Sequence, residues 1–389
     1  MRIGVNCTEL DPRAGGGYTF QTDLLEAIRT LGRDSGHTVV LLSRKAAALK
    51  AFAGDAVETH ELVKPGSDRL KRLARLGRKD KHEPNWLDNA VQKAGVELVW
   101  NMAQDCLTPE VPYIFTMWDL QHRLQPFFPE VSAAGRWAKR EGHFRTYLQR
   151  AALVFTGTEE GKREIVQFYG VDAARIHVLP LPTSAFALRG GAGSLPPGLP
   201  ERFVFYPAQF WPHKNHVNLL KAVALLRSEK LGVVLTGSDY GNRRHVEAVA
   251  KELGVTVHFP GFVSRDELVG LYRKALALTF VSYFGPDNVP PLEAFALGCP
   301  VIAADAPGVR EQLGDAALLV NPSSPEEIAE AIRTVIYDTS NWEARKKKAL
   351  ARASGWTAQD YVKSALTIAS GFSAIRANWP ADYRISIPR

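Results

Sequence analysis

The chain has 389 residues, 48 Lys and Arg against 41 Asp and Glu, a formal net charge of +7, and is 46% hydrophobic and 23% charged. That is long enough for two cores, and the balance excludes disordered, fibrous and collagen-like chains. No apolar run approaches the roughly 18 residues that span a bilayer, and Cys7, Cys106 and Cys299 are too few and too scattered to indicate a disulfide framework or a zinc cluster.

The first segment, MRIGVNCTEL, reads as a strand rather than a leader peptide, so the cytoplasm is the expected compartment. Short β-rich runs then alternate with amphipathic helical stretches, the pattern of parallel sheets covered by helices. Strands are expected near 2–6, 38–43, 96–100, 112–117 and 152–156, and again in FVFYPA, GVVLTG, VTVHFPG, LALTFV, CPVIAAD and AALLV. Between the two series lies ALRGGAGSLPPGLPE at 187–201, rich in Gly and Pro and without apolar periodicity, which reads as a linker. The expected organisation is an N-terminal Rossmann-like domain over 1–186, the linker, and a C-terminal Rossmann-like domain over 202–370. A tail over 371–389 is expected to pack back on the first domain. Doubly wound domains bind ligands beyond the carboxyl ends of their strands, so the loops there should carry the chemistry.

The first such loop, AGGGYTF at 14–20, places Gly15, Gly16 and Gly17 before a helix, where backbone can approach a ligand closely. Tyr18, Thr19 and Phe20 follow where a dinucleotide fingerprint would need another glycine. Residues 64–82 carry eight Lys/Arg against two Asp, a net of +6 from 8 − 2, with Leu70, Leu73 and Leu76 at helical spacing. They form either a solvated surface helix or a dock for an anionic membrane surface or lipid-linked glycan. Nucleic acid is disfavoured, because no aromatics interleave with these charges. In FTMWDLQHRLQPFFP at 115–129, Asp119, His122 and Arg123 follow a buried strand at a cleft lip. His122 suits proton transfer or a sugar hydroxyl, and equally a structural role capping the next helix.

In YPAQFWPHKNH at 206–216 a strand turns into a helix near Asn215, with Lys214 at the positive end of its dipole. A diphosphate would neutralise both; the alternative is a lysine that extends into solvent. In FGPDNVPPLEAFALG at 284–298 a loop delivers amides and a helix start opened by Pro290 and Pro291, where a missing N–H costs little. Glu293 there either complements the dipole or accepts the two hydroxyls of a ribose. The chain has no Asp-x-Asp pair and no His/Asp/Glu cluster at metal-ligand spacing, so a site without a metal or other cofactor is expected.

These segments, in this order, resemble the retaining glycosyltransferases of family 4. The resemblance covers nearly the whole chain and is densest in FYPAQFWPHKNHVNLLKA, VHFPGFVSRDELVGLYRKA, NVPPLEAFALGCPVIAAD and ALLVNPSSPEEIAEAI. It implies an α/β protein of the GT-B fold, two Rossmann-like parallel-sheet domains facing a central cleft. It assigns Lys214 to the donor diphosphate, Glu293 to the ribose, Val263 to the nucleobase, and the amides around Asn288 and Val289 to the diphosphate and sugar. Gly15 to Gly17 match the glycine loop that closes on the phosphates. The family's first glutamate falls on Gly285, with Asp287 nearby as a substitute; its arginine before the lysine gives way to Gln209 and His213; its sugar-binding histidine falls on Trp118, with His122 nearby to take its place.

The implied activity is metal-independent transfer, with retention, of a hexose from a nucleoside-diphosphate sugar to a glycan or lipid-linked acceptor hydroxyl. The expected setting is bacterial-type polysaccharide or glycolipid assembly, in the cytoplasm or peripherally on the inner face of the membrane. A nucleotide-sugar epimerase and a non-catalytic nucleotide-sugar-binding protein are the alternatives. A nicotinamide dehydrogenase is disfavoured by the failed fingerprint.

Overall fold

A computed structural model describes residues 1–7, 10, 15–64, 86–261, 263–380 and 383. The basic stretch therefore lies, apart from Lys64, outside the described residues. Two all-parallel sheets organise the rest. The first has the order β3-β2-β1-β4-β5-β6-β7, from β1 (Arg2–Asn6), β2 (Thr38–Ser43), β3 (Val57–Glu61), β4 (Leu98–Asn101), β5 (Tyr113–Met117), β6 (Leu153–Thr156) and β7 (Ile176–Val178). The second has the order β10-β9-β8-β11-β12-β13, from β8 (Phe203–Pro207), β9 (Gly232–Thr236), β10 (Val257–His258), β11 (Leu278–Phe280), β12 (Val301–Ala304) and β13 (Leu318–Val320). In both, the strand order reverses beside the first strand, which opens a crevice at the carboxyl edge.

The central strands are legible in sequence because they are apolar on both faces, β5 and β9 being buried throughout, and the edge strands β10 and β13 of the second sheet were read as well. The edge strands β3 and β7 have mixed patterns, VETHE and IHV, and gave no apolar run to read. Each sheet has its own core, with Phe205, Tyr206, Leu235 and Ile302 buried in the second and Ile3, Leu41, Trp100 and Phe155 in the first.

The expected boundary at 370 moves. The Ala358–Arg376 helix leaves the second sheet and packs on the Gly16–Leu31 helix, with Tyr361 stacked on Trp100 and edge-on to Phe20. Its Tyr361, Val362, Ala365 and Ala369 join the core of the first domain, so the chain crosses back near Gly355 and Trp356. The expected linker is entered by a short helix, Ala185–Arg189, and is irregular from Gly190 to Pro200.

Candidate functional site

The loops after β8, β11 and β12 face those after β5 and β6. Lys214 ends a single 3₁₀ turn, Pro212–Lys214, and Asn215 follows in the left-handed conformation (φ 60°). The Asn215 side chain holds that bend by donating to the carbonyls of Val281 (2.9 Å) and Pro322 (2.7 Å). The partly buried Lys214 ammonium lies 5.2 Å from the centre of the Phe280 ring and forms no ion pair among the described residues. Burial lowers its pKa to about 8, against the opposing pull of Asp119 and Glu130. A cation so placed gains from any dianion that enters beside it.

The Val289–Ala296 helix places Glu293 one residue beyond its first turn, so a simple dipole role is weakened. The buried carboxylate accepts from Ser184 Oγ (2.6 Å) and Tyr272 Oη (2.7 Å). Burial raises its pKa, with these two bonds acting against the shift. Each oxygen retains a second lone pair for a ligand hydroxyl. The Asn288 amide, expected to face phosphate, instead donates to Gln312 Oε1 (3.0 Å), and Pro290 and Pro291 have none to give. That leaves the Val289 amide from this helix start.

Gly285 adopts φ 143°, and a Cβ there would stand 2.4 Å from the Asn288 side-chain oxygen. The backbone thus excludes the glutamate that the resemblance would place there. Asp287 is not free to replace it. Its carboxylate accepts the Leu181 amide (2.6 Å) and a close hydrogen bond from Gln312, and it packs on Gly157, where a Cβ would meet it at 2.3 Å. Burial pushes its pKa up to about 7.

On the opposite side, the Gly16–Leu31 helix begins at Gly15 with no side-chain cap and no acid in its first turn. The position of a Gly15 Cβ lies 3.9 Å from the Gln209 amide nitrogen, and that of Gly17 lies 3.5 Å from the Trp118 ring, so the glycine loop meets both domains' loops. Gln209 is steadied by Trp211, whose Nε1 donates to its oxygen at 2.9 Å. Val263 packs partly buried against the second core.

Asp119 is near this cluster; burial would raise its carboxyl, but Arg140 at 2.6 Å and the Gln121 amide hold it below the usual range. His122 departs from the catalytic expectation. It is fully buried, with Nε2 3.1 Å from both Glu141 and Tyr169, and burial lowers its pKa. It belongs to the packing behind the lip, held by Glu141 and Tyr169, and caps neither of the helices that follow.

Residues 194–352 match the family described as Glycosyl transferases group 1. That match spans less than half of the chain and lies on the end of the linker and the second domain. It is 29% identical over 219 residues to the O-antigen chain mannosyltransferase RfbU of Salmonella typhimurium, covering 55% of this chain and 59% of that one. It is also 29% identical over 238 residues to the D-inositol 3-phosphate glycosyltransferase of Nocardia farcinica, covering 56% and 52%. The chain thus spans little more than half the length of these relatives. Among solved structures it is similar to sucrose-phosphate synthase from Thermosynechococcus elongatus (TM-score 0.71, 18% identity, 96% and 100% covered). Anabaena HepE in complex with UDP and glucose is similar too (TM-score 0.68, 20% identity, 96% and 100% covered). At these identities the structures establish the fold, which is GT-B.

Within that fold, four contributors to the site escaped sequence reading: Ser184, Tyr272, Gln312 and Glu130. Ser184 stands at the domain crossing and Tyr272 inside the Arg265–Lys274 helix, and no local pattern marks either. Glu130 carried one faint signal, an acid directly after the Pro that opens a helix turn. It reaches across the cleft to His213, accepting from its backbone N (3.0 Å) and from Nδ1 (2.6 Å). Among the described residues no group of three or more His, Cys, Asp or Glu could hold a metal ion, and no helix is long and apolar enough to cross a membrane.

Proposed function

We propose that this chain transfers a hexose from a nucleoside-diphosphate sugar to an acceptor hydroxyl, with retention at the anomeric carbon, in polysaccharide or glycolipid assembly. The observation that carries the reading is Lys214, a partly buried ammonium with no ion pair among the described residues, in the loop that faces the uncapped Gly16–Leu31 helix start. Negative charge develops on the leaving diphosphate in the transition state, and a preorganised cation with helix-end amides stabilises it. Glu293 with Ser184 takes the ribose, Val263 lies toward the base, and Asn215 fixes the turn that presents Lys214. Asp119, kept ionised by Arg140, faces the sugar end. The mannosyl and inositol-phosphate names of the relatives, and the UDP bound by HepE, support a nucleotide-sugar donor.

The excluded side chain at Gly285 favours, as a second reading, a protein that binds nucleotide sugars without turning them over. The test incubates the protein with UDP- and GDP-hexoses, with and without glycan and lipid-diphosphate acceptors, in the presence of a chelator. Acceptor-dependent nucleotide release is expected, undiminished by chelation. Acceptor-free isomerisation would identify an epimerase, and binding with neither would support the second reading.

A further inference from the structure

His213 precedes Lys214 and forms the middle of the same 3₁₀ turn. Its main chain is pinned, the carbonyl accepting from the Tyr283 amide (2.9 Å) and Ser282 Oγ (3.3 Å). Its ring is held from the other domain: Glu130 Oε1 takes Nδ1 at 2.6 Å, and Phe128 packs edge-on at 6.1 Å. A carboxylate only accepts, so Nδ1 carries the hydrogen and the lone pair of the neutral ring resides on Nε2. Nε2 hydrogen-bonds to no described residue and, unlike the sealed nitrogens of His216, keeps access to solvent. The other oxygen of Glu130 is buried without a partner, so this carboxylate is committed to His213 alone.

We propose that His213, oriented by Glu130, is the second cation for the leaving diphosphate, formed only when the phosphates are bound and the two domains are together. The proposal rests on the transferase reading and supplies the charge that the family's arginine would have provided. On binding, Nε2 takes a proton from solvent, Nδ1–H stays on Glu130, and the new Nε2–H donates to a phosphate oxygen. No substrate bond changes in this step. The groups around the ring set the balance: burial and Lys214 lower its pKa in the free protein, while Glu130 and Asp119 raise it. A diphosphate adds negative charge and tips the ring to imidazolium. Because Glu130 belongs to the first domain and His213 to the second, the cation is available only in the joined arrangement.

The test is calorimetry of UDP and GDP binding at pH 7.0 in buffers of different ionisation enthalpy, with turnover measured alongside. Lys214 is already mostly protonated at that pH, since its pKa is about 8. Wild type should take up a large fraction of one proton per nucleotide. His213→Gln and Glu130→Gln, which keep hydrogen-bonding capacity, should lose most of that uptake and about a hundredfold in turnover. His213→Arg should restore most of the turnover with no uptake, and should do so even when combined with Glu130→Gln. Nucleotide binding by wild type without proton uptake overturns the inference alone, whatever becomes of the variants. Undiminished uptake in His213→Gln, or unchanged uptake and turnover in Glu130→Gln, overturns it as well. Binding of neither nucleotide would remove the transferase reading and this inference with it.

Discussion

The carboxylate of Asp287, in the second domain, accepts the Leu181 amide of the first at 2.6 Å while packing on the bare backbone of Gly157. This contact holds a partly buried acid whose pKa is pushed up to about 7 by desolvation. An acid raised from its ordinary value favours the folded state fully at low pH and loses that contribution as pH rises toward 7. Asp287→Asn, permanently neutral, should therefore stabilise the protein relative to wild type at pH 8, on the order of 1–3 kcal/mol. The gain should shrink toward zero near pH 4. Thermal unfolding at the two pH values checks this, and a gain independent of pH would show that the charge of Asp287 is not what matters.

Lys214 is depressed to about 8 by burial, so it discharges within the range of ordinary buffers. On the proposed reading a bound diphosphate needs the ammonium, and the dissociation constant for UDP or GDP should rise as pH climbs through 8, by up to about tenfold per unit. Lys214→Ala should flatten that rise and lower turnover by roughly two orders of magnitude or more. An equally steep pH profile in the variant would assign the titration to another group.

For Glu293, charge removal by Gln is the informative change, because Ala would leave the Ser184 and Tyr272 hydroxyls buried and unpaired at a cost of about 1–3 kcal/mol each. Glu293→Gln should weaken binding of ribonucleoside diphosphates about tenfold or more. It should weaken the 2′,3′-dideoxy analogues far less. Equal losses for both would separate Glu293 from the ribose.

Rebuilding the family's glutamate at Gly285 should fail. The φ of 143° and the Asn288 side chain at 2.4 Å oppose any Cβ, at roughly 1–3 kcal/mol for the backbone alone. Gly285→Glu should unfold at lower temperature and show no gain in turnover. A more active variant of unchanged stability would mean that the loop adapts.

How far the sequence reaches depends on how local the cause is. The central strands, the Pro-opened helix before Glu293 and the turn at Lys214 follow from apolar runs and from backbone chemistry of adjacent residues, and all three were legible. The edge strands β3 and β7 were not, because a strand at a sheet edge needs no continuous apolar run. Residues that meet across the cleft are of another kind. Asp287 and Leu181 lie 106 positions apart, and Glu130 and His213 lie 83 apart. Sequence alone indicated the two-domain fold and the turn that presents Lys214, since these are encoded in ordered local motifs. Only tertiary structure decided that Asp287 is occupied, that His122 is buried, and that Glu130 holds His213, because a side chain's freedom depends on which distant groups desolvate and bond it.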